Sequence, residues 1–394
     1  MSDFPRGSGQ MDECYSPAEE LDRGFVQVSV VIPVRNGGSD LEACLQALMA
    51  SSYQDFEVIV VDDGSTDNSM ECARRFGARV LRNPSRVGPG ASRNAGALVA
   101  RGSILFFLDA DVVPHSDALA KAVARFEANP QLCALFGSYD DRPWAPNFVS
   151  VFRNLLHHYV HQQGCFVDEA RPAHTFWTGC GAIRRQAFLS LGGFDPKRYR
   201  RPAIEDIELG YRITRAGQRI ELVRDILATH RKRWSLGSMI KTDIFHRGVP
   251  WMLLLLWNRT KENDLNVSRS QRLSVLATGV LIASMAVSPW LPVALGLSAA
   301  SLLAVFGMNY CFYQYLAVRR GWGFALRSVL LHLVYFLCCG ISVAIALGLR
   351  LVLTRRGAEK ERTKSVDRRD WPRVAQPSHD SKRRVLSRTG QVPR

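Results

Sequence analysis

Between Leu273 and Val318 the chain runs for 46 residues without one charged side chain. A helix needs about 20 apolar residues to cross the hydrocarbon core of a bilayer, so this run has room for two. Pro289-Trp290-Leu291-Pro292 stands where a turn between them would fall. The expectation is a hairpin of helices at 273–290 and 292–318. A third apolar stretch, 326–349, carries one charge near its start, Arg327, and ends before Arg350. Together these define an expected transmembrane region over 266–353.

The rest of the chain is different in kind. From Val26 to Arg233 polar and apolar residues alternate as in a globular domain. Gly248–Trp257 (GVPWMLLLLW) is apolar but too short to span. Its two Trp residues and the nearby Lys241, Arg247 and Arg259 suit a helix lying in the membrane interface, within a linker over 237–265. The net charge of +15 is concentrated at one end: residues 354–394 hold 13 Lys and Arg against 5 Asp and Glu. This tail has the composition of a disordered segment, and a polybasic stretch beside a membrane span suits anionic headgroups. No aromatic-basic recognition motif accompanies it, so nucleic acid is not an expected partner. The nine Cys show no CxxC or Cys/His spacing for zinc. Residues 1–25 are polar, with no apolar signal-peptide core, and are expected to be disordered. A multi-pass protein of the cell membrane is expected, its globular domain cytoplasmic.

Within that domain, strands and helices alternate. Val28–Val34 (VSVVIPV), Phe56–Val61 (FEVIVV), Ala78–Leu81, Ser103–Leu108 (SILFFL) and Leu132–Gly137 are short apolar runs of strand length. Helical spacing appears at 41–50, 67–76, 91–101, 118–129 and 149–163. This alternation predicts an α/β domain with a mostly parallel sheet covered by helices. Ligands of such sheets bind outside the carboxyl ends of the strands. Asp62-Asp63 and Asp109-Ala110-Asp111 both fall at such ends.

Paired carboxylates with oxygen-only donors suit Mg²⁺ or Mn²⁺, which are commonly held by one or two carboxylates plus phosphate oxygens. Arg93 lies early in a helix after Gly88-Pro89-Gly90, where backbone N–H groups and a cation can meet phosphate. Ile204-Glu205-Asp206-Ile207-Glu208 gathers three acids at a helix start. Such acids can serve as a general base or simply favour the helix dipole. His157 and His161, at i and i+4, are a pair of metal-ligand type without a third ligand at motif spacing.

These motifs occur in a familiar order: VSVVIPVRN, VIVVDDGSTDNS, GPGASRNAG, FFLDADV, TGCGAIRR, GGFDP and IEDIELGYR. Over residues 28–234 the chain resembles the family 2 glycosyltransferases with the GT-A fold, a Rossmann-like mixed sheet that binds nucleotide diphosphate sugars. The resemblance implies a glycosyltransferase domain over 26–236. It implies that Pro33, Asp62 and Asp63 border the nucleotide and that Arg93 lies near the diphosphate. Asp109 and Asp111 would hold nucleotide and metal, with Asp111 the direct ligand. Gly179 and Cys180 would lie near donor sugar and acceptor, and Asp206 would be the catalytic base with Glu205 its neighbour. His230-Arg231-Lys232-Arg233-Trp234 is similar to the QxxRW motif of membrane-embedded members, with His in place of Gln. By that likeness His230 would contact metal or diphosphate, Arg233 would bind diphosphate and Trp234 would stack on the acceptor.

The activity implied is inverting, metal-dependent transfer from a nucleotide diphosphate sugar to a hydroxyl of a lipid or lipid-linked acceptor at the cytoplasmic membrane face. A processive polysaccharide synthase, a polyprenyl-phosphate sugar synthase and a catalytically silent scaffold are the alternatives. The variant HxxRW and the few spans weigh against the first. The Glu205-Asp206 base motif weighs against the second, whose acceptor is already an anion. The intact acidic motifs weigh against the third.

Overall fold

The computed structural model describes residues 26–199, 201–258 and 268–355. The expected disordered N-terminus and nearly all of the basic tail lie outside them. The chain order begins β1 (Val28–Val34), α1 (Gly38–Met49), β2 (Phe56–Asp62), α2 (Ser69–Arg75), β3 (Arg79–Arg82), α3 (Pro89–Val99), β4 (Ile104–Leu108) and β5 (Val112–Pro114). It continues with α4 (Ala118–Ala128), β6 (Leu132–Tyr139), α5 (Phe148–His161), β7 (Ala170–Ala173), β8 (Cys180–Arg184), α6 (Arg185–Ser190), α7 (Glu205–Arg215) and β9 (Arg219–His230).

The strands form one nine-stranded sheet in the order β3-β2-β1-β4-β8-β6-β9-β5, with β7 paired to β9. The β1 to β4 half is parallel, as the alternation predicts. The other half is not: β8 runs antiparallel to both β4 and β6, and β5 and β7 run antiparallel to β9. The sheet is therefore mixed rather than mostly parallel. The antiparallel strands escape the apolar-run signal because their sequences are short or small-sided, as in Cys180–Arg184 (CGAIR).

Apolar side chains pack both faces. Val30, Ile32 and Phe106 lie on one side with Leu41 and Leu45 of α1. Val31, Phe107 and Phe136 lie on the other with Phe188 and Phe194. Burying each such side chain is worth about 1.5–3 kcal/mol relative to exposure. The period-2 alternation of strand side chains assigns neighbours to opposite faces.

Beyond β9 the chain is helical. α8 (Leu236–Lys241) leads through a π-helical stretch, Thr242–Gly248, into α9 (Val249–Asn258). The expected interfacial segment is thus docked on the globular domain: Trp251, Leu254 and Leu255 pack on Tyr199, Ile204 and Tyr211, and Trp251 Nε1 donates to the Tyr211 hydroxyl at 3.1 Å.

α10 (Arg269–Val287) and α13 (Trp322–Arg355) are long and apolar enough to cross a membrane. The helix expected at 292–318 is broken. It forms α11 (Ala294–Met308) and α12 (Tyr310–Arg320), bent by 66°. Buried Asn309 marks the break, its amide donating to Ser274 Oγ of α10 at 2.9 Å and to the Val305 carbonyl at 2.8 Å. Short polar bonds between apolar helices fix their packing, and Ser284 with Ser298 repeats the device at 2.7 Å. After the bend, Phe312, Tyr313 and Leu316 of α12 pack on Val151, Phe152 and Leu155 of α5. Arg319 pairs with Asp141.

Candidate active site

The parallel strands deliver their carboxyl ends to one rim. Val34 of β1 is level with Asp62 of β2, and Val31 is level with Phe107 of β4. Continuing that register sets Pro33 beside Asp109. Pro33, Asp62 and Asp109, three positions from separate motifs, therefore share one edge of the sheet.

The two acids after β2 have different environments. Asp62 is fully buried, and its Oδ1 accepts from the Ser65 backbone N–H at 2.9 Å. Its Oδ2 has no hydrogen-bond partner among the described residues, with Arg82 Nε 3.6 Å away. A buried carboxylate oxygen with no donor is costly unless one arrives, so this atom is suited to an incoming N–H. Asp63 instead holds the loop before α3: its oxygens accept from Asn83, Val87 and Gly88 at 3.1, 2.8 and 2.9 Å. Gly88 has φ +94°, a conformation that favours glycine, and Pro89 then starts α3.

Arg93, on the first turns of α3, is buried and joins two parts of the chain. Nη2 donates to Asp109 Oδ1 at 2.5 Å and Nη1 to Glu205 Oε1 at 3.1 Å. Burial works against the guanidinium charge, but Asp109, Glu205 and Asp206 outweigh it and raise its pKa. The other Glu205 oxygen accepts from the Ala203 N–H at 2.9 Å. Both Glu205 oxygens are thus engaged in holding Arg93 and the entry to α7.

Asp206 is the free acid of the pair. Its Oδ1 accepts from the Ile207 N–H at 2.8 Å, while Oδ2 faces the Thr178 N–H at 3.3 Å and hydroxyl at 3.5 Å. Burial, and then the neighbouring Glu205 charge, push its carboxyl up to about 6 against the pull of Arg93. A base of that strength works near neutral pH.

At Asp111 the antiparallel pairing of β5 with β9 decides the neighbour. Val112 lies opposite His230, and His230 Nε2 stands 3.4 Å from Asp111 Oδ2. Burial acts to raise the Asp111 carboxyl, but the His230 contact and the Lys232 charge hold it below its ordinary value. Among the described residues no three His, Cys, Asp or Glu side chains converge as a metal cage. A carboxylate with a partly open oxygen side and a histidine beside it fits the mode in which phosphate oxygens and water complete a Mg²⁺ or Mn²⁺ shell.

Three of the expected contact residues have distinctive burial or surroundings. Cys180 is fully buried at the start of β8, opposite Leu108, with its side chain in the core on the face of Val30 and Ile32, and burial pushes its thiol up to about 12. Trp234 is 6% exposed and fixed at its backbone by Ser150 and Asn147. The cations of Arg153 and Lys232 lie over its ring, 5.3 and 4.5 Å from the centroid, so it carries cations rather than an open stacking face. Arg233 and Lys232 are both exposed, and of the two it is the Lys232 charge that acts on Asp111. At Gly179 the corresponding substrate-side neighbour is Trp177, whose ring would lie 2.3 Å from any Cβ added there.

A column of rings runs inward from His230. Tyr139 stacks on it at 4.3 Å and 8°, His157 packs on Tyr139 at 4.3 Å, and His161 on His157 at 4.0 Å. His161 Nδ1 is satisfied by the Gly137 carbonyl at 3.0 Å. Burial holds His157 well below its ordinary pKa, so it is neutral. The i, i+4 pair is thus a packed column and not a chelate. Tyr139 and Trp177 lie outside the quoted motifs, and Thr178 and Lys232 lie inside TGCGAIRR and HRKRW without a role implied for them; the fold gathers all four here.

The fold with its acid-lined rim is a GT-A-like mixed α/β domain followed by apolar helices. Residues 29–192 match the family model "Glycosyl transferase family 2". The chain is 38% identical over 104 residues to glycosyltransferase AglE of Haloferax volcanii, covering 25% of this chain and 34% of that protein. It is 29% identical over 234 residues to the pre-mycofactocin glycosyltransferase of Mycobacterium tuberculosis, covering 56% of this chain and 46% of that one. It thus spans less than half the length of these curated relatives. Among solved structures, the mannosyltransferase PcManGT from Pyrobaculum calidifontis, in complex with GDP-Man and Mn²⁺, shares the fold with a TM-score of 0.53. That likeness has 20% identity and covers 83% of this chain and 92% of that one.

Proposed function

We propose that the chain is an inverting glycosyltransferase that moves a sugar from a nucleotide diphosphate sugar to the hydroxyl of a lipid or lipid-linked acceptor at the cytoplasmic face of a membrane. The observation that carries this is the Arg93 bridge, which ties the acid at the donor rim, Asp109, to the acid beside the base, Glu205.

In this reading the unpartnered Asp62 oxygen receives the nucleotide base, and Asp63 shapes the loop that leads to the phosphates. Asp111, with Asp109 and His230 beside it, would hold Mg²⁺ or Mn²⁺, which when bound neutralises charge on the departing diphosphate. The Mn²⁺ and GDP-Man held by the mannosyltransferase of similar fold support this donor class. Asp206 accepts the acceptor's hydroxyl proton as that oxygen attacks the anomeric carbon. The bond to the diphosphate breaks on the opposite face, and the nucleotide diphosphate leaves. One displacement inverts the anomeric configuration. A base is needed only if the acceptor is a hydroxyl, which favours this reading over transfer to a lipid phosphate.

The test is Asp206→Asn in the full chain. Transfer is expected to fall by about 10²–10⁴, the usual contribution of a positioned general base, with nucleotide-sugar binding retained. Undiminished transfer would remove Asp206 from the role.

A further inference from the structure

A cavity of about 980 Å³ opens beside His230, and neither Asp109 nor Asp206 is among its lining residues. Its inner wall is the ring column of His230, Tyr139 and His157. Its outer wall belongs to the two helices long enough to cross a membrane: Val275, Leu276 and Val280 of α10, and Phe336, Gly340 and Val343 of α13. Leu276 and Val280 are also 66% and 42% exposed, so the apolar end abuts the surface that a bilayer would cover.

The polar end carries cations. Arg153 lines it and pairs with buried Asp243, at 2.9 and 3.1 Å. Lys232 and Arg247 line it too, and among the described residues neither has a carboxylate within ion-pair distance. Trp234 holds Lys232 in place from below. Cations with no carboxylate at ion-pair distance in a partly enclosed site suit an anion, and phosphate is the anion such charge-assisted contacts suit. The hydrocarbon wall excludes a free nucleotide or saccharide as the whole occupant.

We infer that this cavity seats the acceptor and that the acceptor is a phosphate-bearing lipid, its hydrocarbon between α10 and α13 and its phosphate against Lys232 and Arg247. His230 lines the cavity and also stands beside Asp111, so the head of such a lipid lies next to the donor rim. The inference rests on the glycosyltransferase reading for the word acceptor; the binding of the lipid does not.

The experiment uses the full chain reconstituted in phosphatidylcholine vesicles doped with diazirine-tailed phosphatidic acid or diazirine-tailed phosphatidylcholine. Adducts are mapped by peptide mass spectrometry. Phosphatidic acid is expected to label the cavity-facing residues of α10 and α13 about tenfold more than phosphatidylcholine, as a gain near 1.4 kcal/mol would give. Lys232→Gln with Arg247→Gln should erase that preference. Gly340→Phe and Gly279→Phe, on opposite helices, should each block the labelling. A Cβ at Gly340 meets only Val275 Cγ1 at 3.6 Å and one at Gly279 meets nothing within 4 Å, so both sites have room for the ring. Equal labelling by the two lipids overturns the phosphate assignment, and labelling confined to outward residues such as Leu330 overturns the site. Cavity labelling in a chain that turns over no nucleotide sugar would leave the site standing and defeat the glycosyltransferase reading alone.

Discussion

His230 Nε2 stands 3.4 Å from Asp111 Oδ2, brought there by the antiparallel register of β5 on β9. By the expected likeness to the QxxRW pattern the histidine would stand where glutamine does, and either side chain can orient the carboxylate. His230→Ala is therefore expected to raise the Mn²⁺ concentration giving half-maximal transfer by about tenfold or more, the usual cost of losing an outer partner of a metal ligand. His230→Gln should recover most of it. A chelator should abolish transfer in all three proteins, and Mn²⁺ or Mg²⁺ should restore it. Transfer indifferent to chelator would refute the metal assignment.

Arg93 fills a different need. Its guanidinium is buried between Asp109 and Glu205, and Glu205 is buried with it, at 6% side-chain exposure. Deleting one member of such a pair leaves a buried charge without compensation, at about 3–5 kcal/mol. Arg93→Met should lower the unfolding midpoint measured in detergent, and Glu205→Gln in the same chain should recover part of the loss. An unchanged midpoint would mean that the bridge does not hold α3 to α7.

The parallel half of the domain was legible because its strands are buried on both faces. VSVVIPV and ILFFL therefore read as continuous apolar runs, and the rim position of Asp62 and Asp109 followed from the strand ends. The antiparallel strands were not legible. β8 is short and carries a glycine, CGAIR, and β9 spreads its apolar residues over 12 positions among charged ones rather than as a continuous run. With β9 unseen, only the resemblance brought His230 and Asp111 to one metal site, and nothing in the sequence placed Lys232 in the cavity. The burial of Cys180 was hidden for the same reason: a motif position gives proximity along the chain, whereas the face a strand residue occupies depends on its pairing. The break at Asn309 was hidden because the run from Val293 to Val318 is uniformly uncharged, and only the polar bond to Ser274 distinguishes it.

The pH dependence follows from Asp206. Burial and the Glu205 charge raise its carboxyl to about 6, and the base acts only when deprotonated. The kcat/KM for transfer should fall as pH drops through about 6, because protonated Asp206 cannot accept the hydroxyl proton. Removing the like charge in Glu205→Gln should shift that acid limb to lower pH, since Glu205 raises the pKa and Arg93 lowers it. A limb that stays in place, or moves upward, would assign it to another group.

Gly210 ties the base to the sheet. It lies in α7 where an added Cβ would come within 2.4 Å of the Phe176 backbone nitrogen and 2.6 Å of the Thr175 carbonyl carbon. Backbone on both sides cannot move aside as a flexible side chain would, so Gly210→Ala must displace α7 from the strand-side segment 175–178. Overpacking of this kind costs about 1–3 kcal/mol. The same shift separates Asp206, at the start of α7, from Thr178, whose N–H faces its carboxylate. Misplacing a reacting group by about 1 Å can cost 10²-fold, so kcat is expected to fall by more than the loss of folded protein explains. Gly237→Ala is the control, because no atom lies within 4 Å of its Cβ, and it should leave both stability and kcat near the parent values. If Gly210→Ala lowers the midpoint and leaves kcat intact, α7 can move without moving the base, and Asp206 is not held where the reaction needs it by this contact.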